Sequence, residues 1–128
     1  MFFFVFICFF GVKAQKVYIP KISAIKAKIE NVPADGIIPA EDFKKISKII
    51  LEGSGSENYR IISCDITLKL QGQPVVLTCT PHDGELTEET KACLQKDIKI
   101  LFIDNIVVLD KSLKKTYMLE NVIKLKAK

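Results

Sequence analysis

"YRIISCDITLKLQGQPVVLTCT", Tyr59 to Thr80, shows the clearest two-residue alternation in the chain, and its reading decides the fold class. Ile62, Cys64, Ile66, Leu68 and Leu70 fall on one face; Ile61, Ser63, Asp65, Thr67 and Lys69 fall on the other. Successive side chains of a strand point to opposite sides, so this period is that of a half-buried strand. After Gln71–Gly72 the alternation resumes, with Val75, Leu77 and Cys79 on one face. Two such runs around a glycine-containing turn spell an antiparallel hairpin. With a two-residue loop, Leu70 pairs with Gln73, and counting outward sets Cys64 opposite Cys79. Both cysteines then point to the apolar face. They either form a disulfide or stay as two buried free thiols. A longer loop would break the register.

Working outward from this hairpin, "SAIKAKIE" alternates Ile25, Ala27 and Ile29 with Lys26, Lys28 and Glu30, a second half-buried strand. Pro33, Asp35–Gly36 and Pro39 mark a loop. "PAEDFKKISKIIL" then has Pro39 in a first-turn position, Glu41 and Asp42 at the positive helix end, and Phe43, Ile46 and Ile50 on one face. It predicts a short helix, with Ile49 to Leu51 leaving it as a strand. "PHDGE" is a turn with Asp83–Gly84 at its tip. A second short helix follows, with Thr87 as N-cap, Glu88 and Glu89 in its first turn, and Leu86, Thr90, Cys93 and Leu94 on one side.

The chain ends with two strands, "IKILFIDNIVVL" and "TYMLENVIKLK", joined by the polar "DKSLKK". The first is interrupted at Asp104–Asn105, where the polar pair is catalytic, binds a metal or marks a bend. The order is therefore strand, helix, long hairpin, helix, long hairpin. Adjacent antiparallel strands of this kind close by packing face to face, so the expected fold is mainly β, an antiparallel β-sandwich with two short edge helices.

The 128 residues fit one domain with its own core. Lys+Arg 19 against Asp+Glu 15 is too small an excess to indicate a nucleic-acid partner, and the lysines are spread out. Phe2 to Val12 is a short, very apolar run. It falls short of the roughly 20 residues that span a bilayer, and it fits the apolar region of a secretory signal peptide. Residues 1–14 are read as that leader, cleaved after Ala14, and residues 15–128 as the single mature domain, periplasmic or secreted and not inserted in the membrane. Export permits disulfides among Cys64, Cys79 and Cys93, an odd number that leaves at least one thiol over.

No strong catalytic signature is present: no GxSxG, HExxH, CxxC, P-loop or dinucleotide fingerprint. His82, the only histidine, lies in a turn beside Asp83 and Glu85, without the spacing of a strong metal motif. Asp65 and Asp104 could meet if their strands were neighbours, as a carboxylate pair of the kind glycosidases use. Tyr18, Tyr59 and Tyr117 are scattered and tryptophan is absent, so no stacking platform for sugar or single-stranded nucleic acid is signalled. No cofactor or metal is expected.

From Lys21 to Lys126 the chain resembles the C-terminal domain of GldM, the gliding-motility and type IX secretion protein of Bacteroidetes. Gly84, Leu86, Thr87 and Glu89 resemble that family's entry into its second helix, and Phe102, Asp104 and Ile106, with Asn105 between, match its "F-x-D-I" strand. Asp97 and "DKSLKK" depart from the glycine and Asp-Gly turn often found there. GldM also carries a membrane helix and further periplasmic domains ahead of this one. The resemblance implies an immunoglobulin-like sandwich that works by contact. It also implies that Asp104–Asn105 is a structural bend where the strand changes its pairing, the carboxylate accepting backbone hydrogen bonds.

The expectation is a non-enzymatic exported protein–protein interaction module, tied through the resemblance to gliding-motility or type IX secretion envelope machinery. Its partner would be a protein of the cell envelope, and a homodimer is compatible with the sequence. Candidate contacts are the basic loop Lys111, Lys114 and Lys115 and an exposed sheet edge. The alternative is a secreted small-molecule or carbohydrate binder acting alone. A third reading, a hydrolase centred on His82 and Asp83, predicts an activity lost on His82→Ala.

Overall fold

Alternation sets most of the strands, and packing sets where they break. A computed structural model describes residues 19–128 apart from 34, 71 and 72. The leader reading of residues 1–14 falls outside the described residues. The elements run β1 Lys21–Ile22, β2 Lys26–Ile29, β3 Ile37–Ile38, a 3-10 helix Ala40–Lys45, β4 Ile49–Glu52 and a 3-10 turn Ser56–Asn58. They continue with β5 Tyr59–Leu70, β6 Pro74–Cys79, α1 Glu88–Cys93, β7 Ile98–Asp110, β8 Lys115–Leu119 and β9 Ile123–Ala127. The fold is mainly β. One curled, unclosed sheet has the path β1-β8-β7-β5-β6, with β9 joining it to β3, and a separate two-stranded sheet pairs β2 with β4.

The hairpin has the register of a two-residue loop, from Lys69 opposite Pro74 to Cys64 opposite Cys79. Cys64, Ile66 and Leu68 are buried. Burying each such aliphatic side chain fully stabilises by about 1.5–3 kcal/mol. At the start of β5 the expected faces are exchanged: Ile61 is buried, whereas Ile62 is only half-buried. The pairing with β7 shifts between Ile61 and Ser63, and a shift of one residue turns the side chains before it to the other face.

β7 pairs with β9 from Ile100 to Ile103 and with β8 from Val107 to Asp110, both along the edge away from β5. The exchange of partners spans Asp104–Asn105. Asn105 has φ 48°, and three β7 steps (Val107 to Asp104) face two β5 steps (Ser63 to Asp65), one extra residue on β7. The carboxylate that ties this bulge is Asp65's, not Asp104's. Asn105 Nδ2 donates to Asp65 Oδ2 at 2.9 Å, and Thr78 Oγ1 donates to Asp65 Oδ1 at 3.3 Å. Among the described residues no hydrogen bond reaches the Asp104 carboxylate, which corrects the expected acceptor role.

Asn105→Ala should therefore destabilise by about 1–2 kcal/mol, the cost of a side chain in left-handed backbone. Asn105→Gly should cost less, since glycine adopts that φ freely. Both variants lose the bond to Asp65, so equal losses in urea unfolding would assign the whole effect to that bond.

Three more local expectations are corrected. The first helix is a 3-10 helix ending at Lys45, with Ile46 extended (φ −70°, ψ 127°). The β-branched Ile46, Ile49 and Ile50 suit extended backbone, and within the helix itself Phe43 is the one buried side chain. "TYMLENVIKLK" is not one strand but two, broken around Asn121. That side chain accepts from Ala27 N–H at 3.2 Å and donates to Ala27 C=O at 2.9 Å, joining β2 of the small sheet to the large one. Finally, the expected loop from Pro33 to Pro39 holds the short strand β3, which pairs parallel with β9, as β1 does with β8.

The second helix starts as its cap predicts: the Thr87 side chain accepts from Thr90 N–H at 3.3 Å. Ala27, Ile29 and Ile49 of the small sheet, with Ile25 just before it, share one core cluster with Ile66, Leu68, Ile103 and Leu125 of the large one. No helix among the described residues is long and apolar enough to cross a membrane.

Candidate functional site: a basic groove beside beta4

Asp83–Gly84 builds one wall of the site. His82 N–H donates to Glu85 C=O at 3.0 Å and Glu85 N–H to His82 C=O at 2.9 Å, closing a two-residue hairpin. Both tip residues have positive φ, 51° for Asp83 and 83° for Gly84, which is why Asp-Gly stands here. The hairpin docks along the entry to β4: Ile49 N–H donates to Gly84 C=O at 2.8 Å and Leu86 N–H to Ser47 C=O at 2.9 Å. A Cβ on Gly84 would overlap the Ile49 carbonyl oxygen, so only glycine allows this approach.

Between this hairpin, β4 and the start of β5 lies an open groove of about 280 Å³. Its apolar part comes from Ile49, Ile50, Leu51 and Ile61, with Tyr59, which meets Tyr117 edge-on at 6.2 Å. Lys48, Arg60 and Lys111 also line it, against the carboxylates Glu57 and Asp83. Among the described residues none of these three cations is in an ion pair; the Glu85 carboxyl nearby is held below its ordinary value first by the Lys91 ammonium that donates to it, with Lys48 adding a smaller pull.

Of the expected contact residues, Lys111 thus reaches the groove, while Lys114, on the turn between β7 and β8, and Lys115, the first residue of β8, lie exposed and are not in its lining. Sequence reasoning missed Lys48 and Arg60, which come to Lys111 only through the fold. One signal was present: Arg60 is the chain's single arginine.

Asp110 anchors the turn that positions Lys111. Its Oδ1 accepts from Ser112 N–H at 2.9 Å, Ser112 Oγ at 2.9 Å and Leu113 N–H at 3.0 Å. The Leu113 N–H, then the Ser112 hydroxyl, hold the carboxyl below its ordinary value of 3.8. A depressed carboxylate contributes stability that is present above its unfolded pKa and lost as pH falls through the folded one. Asp110→Asn should therefore give a shallower loss of melting temperature below pH about 4 than the wild type. An unchanged acid limb would mean that the turn does not hold the charge.

Cys64 and Cys79 are free thiols facing each other across the hairpin, 1% and 0% exposed. Leu70 N–H donates to Gln73 C=O at 3.3 Å, and hydrogen-bonded pairs alternate along an antiparallel ladder, which makes Cys64/Cys79 a hydrogen-bonded pair. Opposed Cβ atoms at such sites stand toward the wide end of about 4.5–5.5 Å, beyond the ~3.8 Å of a disulfide, so oxidation would have to draw the strands together. The Cys64 thiol is pushed up, first by its hydrogen bond with Cys79, then by burial and by the carboxylates of Asp65 and Asp104. The same hydrogen bond, with Cys64, pulls the Cys79 thiol down, and the Cys79 sulfur lies 3.8 Å from Thr87 Oγ1.

The remaining candidates do not assemble further. His82 Nε2 and Asp83 Oδ2 are 3.6 Å apart, both largely exposed, and no third side chain among the described hydrogen bonds orients the imidazole. Asp65 and Asp104 are direct cross-strand partners, but Asp65 is engaged by Asn105 and Thr78. Among the described residues no group of three His, Cys, Asp or Glu stands close enough to hold a metal ion. No family model matches the chain, and neither the curated proteins nor the solved structures compared with it give a match.

Proposed function

We propose that this chain is a non-enzymatic, exported protein–protein interaction module, its two sheets forming an immunoglobulin-like sandwich, and that the groove beside β4 is its contact face. The observation that carries the reading is the groove itself: Lys48, Arg60 and Lys111, without ion-pair partners among the described residues, stand around an apolar strip. Such a surface suits a polypeptide segment that presents acidic side chains beside apolar ones. Arg and aromatic groups, here Arg60 and Tyr59, are the side chains enriched where binding energy concentrates. The resemblance to the GldM C-terminal domain supports a partner in the gliding-motility or type IX secretion envelope machinery. Fold alone does not assign that role, so the partner is identified by its chemistry.

The test is a tagged chain expressed in its native host, lightly crosslinked and purified, beside a Lys48→Glu/Arg60→Glu/Lys111→Glu variant. The wild type should enrich envelope proteins over a mock purification and the variant should lose most of them, at an unchanged melting temperature. Recovery of the same proteins by both would remove the groove from the reading. A wild type recovered alone would end the interaction reading and move the search to soluble ligands.

A further inference from the structure

The strand β6, Pro74–Cys79, ends the large sheet, with β5 on one side and, among the described residues, no strand on the other. Sheet edges are usually blunted by charge, brevity or a bulge. β1 is only two residues long and β2 carries Lys26 and Lys28. β6 has six residues and none is charged, and Val76 on it is 67% exposed.

The hairpin register says which groups this edge offers. Val75, Leu77 and Cys79 sit at hydrogen-bonded positions facing β5, so Pro74, Val76 and Thr78 aim their backbone groups outward. Pro74 fits, because it has no N–H to leave unpaired. Val76 and Thr78 each present one N–H and one C=O to the outside.

We propose that β6 pairs antiparallel with β6 of a second copy of this chain, on a twofold axis at Leu77. This surface is distinct from the groove. In that register Val76 faces Thr78 of the second copy, and Thr78 faces its Val76, so four outward N–H groups and carbonyls are matched in four hydrogen bonds. The edge is its own complement, as an isologous contact requires. Charge does not oppose it. Across the seam the exposed row runs Thr67, Val76, then Thr78 and Asp65 of the second copy. Like charges do not meet, and Asp65 is already held by Asn105 and Thr78. One strand pair buries little area, so the dimer is weak.

Sedimentation of the protein purified from its native host, over about 10 µM to 1 mM, reads this association. The wild type should rise from one chain towards two. Val76→Pro removes an N–H that makes no bond among the described residues, and Val76→Lys places like charges close together across the axis. Both variants should stay monomeric throughout, with circular dichroism unchanged. If Val76→Pro fails to fold, Val76→Lys alone decides. A wild type that stays monomeric overturns the proposal, and so do variants that associate as the wild type does. A photo-crosslinker at Val76 that captures a different protein, and never a second copy, assigns the edge to that partner instead.

Discussion

Gly84→Ala is expected to lower the free energy of unfolding by about 2–5 kcal/mol, the sum of a left-handed backbone penalty and a steric overlap. Gly84 has φ 83°, and its missing Cβ is the space that the Ile49 carbonyl occupies. The substitution must push the Asp83–Gly84 tip away from β4, which strains the bond from Ile49 N–H to Gly84 C=O. The same movement deforms a wall of the basic groove, so partner recovery should fall with stability. Urea unfolding measures the first effect. A loss below about 1 kcal/mol would show that the hairpin is free to lift, and that it does not position the groove.

Phe43→Ala should cost about 3–5 kcal/mol, the range for a large aromatic removed from a core. Phe43 is fully buried, yet it belongs to a 3-10 helix whose other residues are exposed or half-buried. It is the one side chain of Ala40–Lys45 that is buried. Small domains are stable by only about 5–15 kcal/mol, so either variant removes a large share of what holds the fold. A loss of less than about 1 kcal/mol for Phe43→Ala would mean that this segment is not seated in the core.

Local chemistry made part of the fold legible. Alternation in "IKAKI" marks β2, the two-residue spacing between Leu70 and Gln73 matches the register that pairs Cys64 with Cys79, and Thr87 starts α1 where a capping residue should. Asp83–Gly84 is recognisable as a two-residue turn for the same reason.

What was not legible depends on contacts between distant residues. The exchange of Ile61 for Ile62 in the core arises from the register of β5 against β7, a strand that begins some 40 positions later. "TYMLENVIKLK" reads as one strand because nothing local says that Asn121 will bind the backbone of Ala27. The helix-like spacing of Phe43, Ile46 and Ile50 misleads because β-branched residues at such spacing also suit a 3-10 turn running into a strand.

The site divides in the same way. A run such as Lys111, Lys114 and Lys115 attracts notice because its charges are close in sequence. The groove instead draws Lys48, Arg60 and Lys111 from three separate segments, so only the fold gathers them.

The central claim, that this groove is a contact face, is tested most directly by a photo-crosslinking residue placed at Arg60, compared with one at the exposed Lys99, which does not line the groove. In the native host, the Arg60 position should yield a specific adduct with another protein and the Lys99 position should not. Adducts of equal yield from both positions, or from Lys99 alone, would contradict the account.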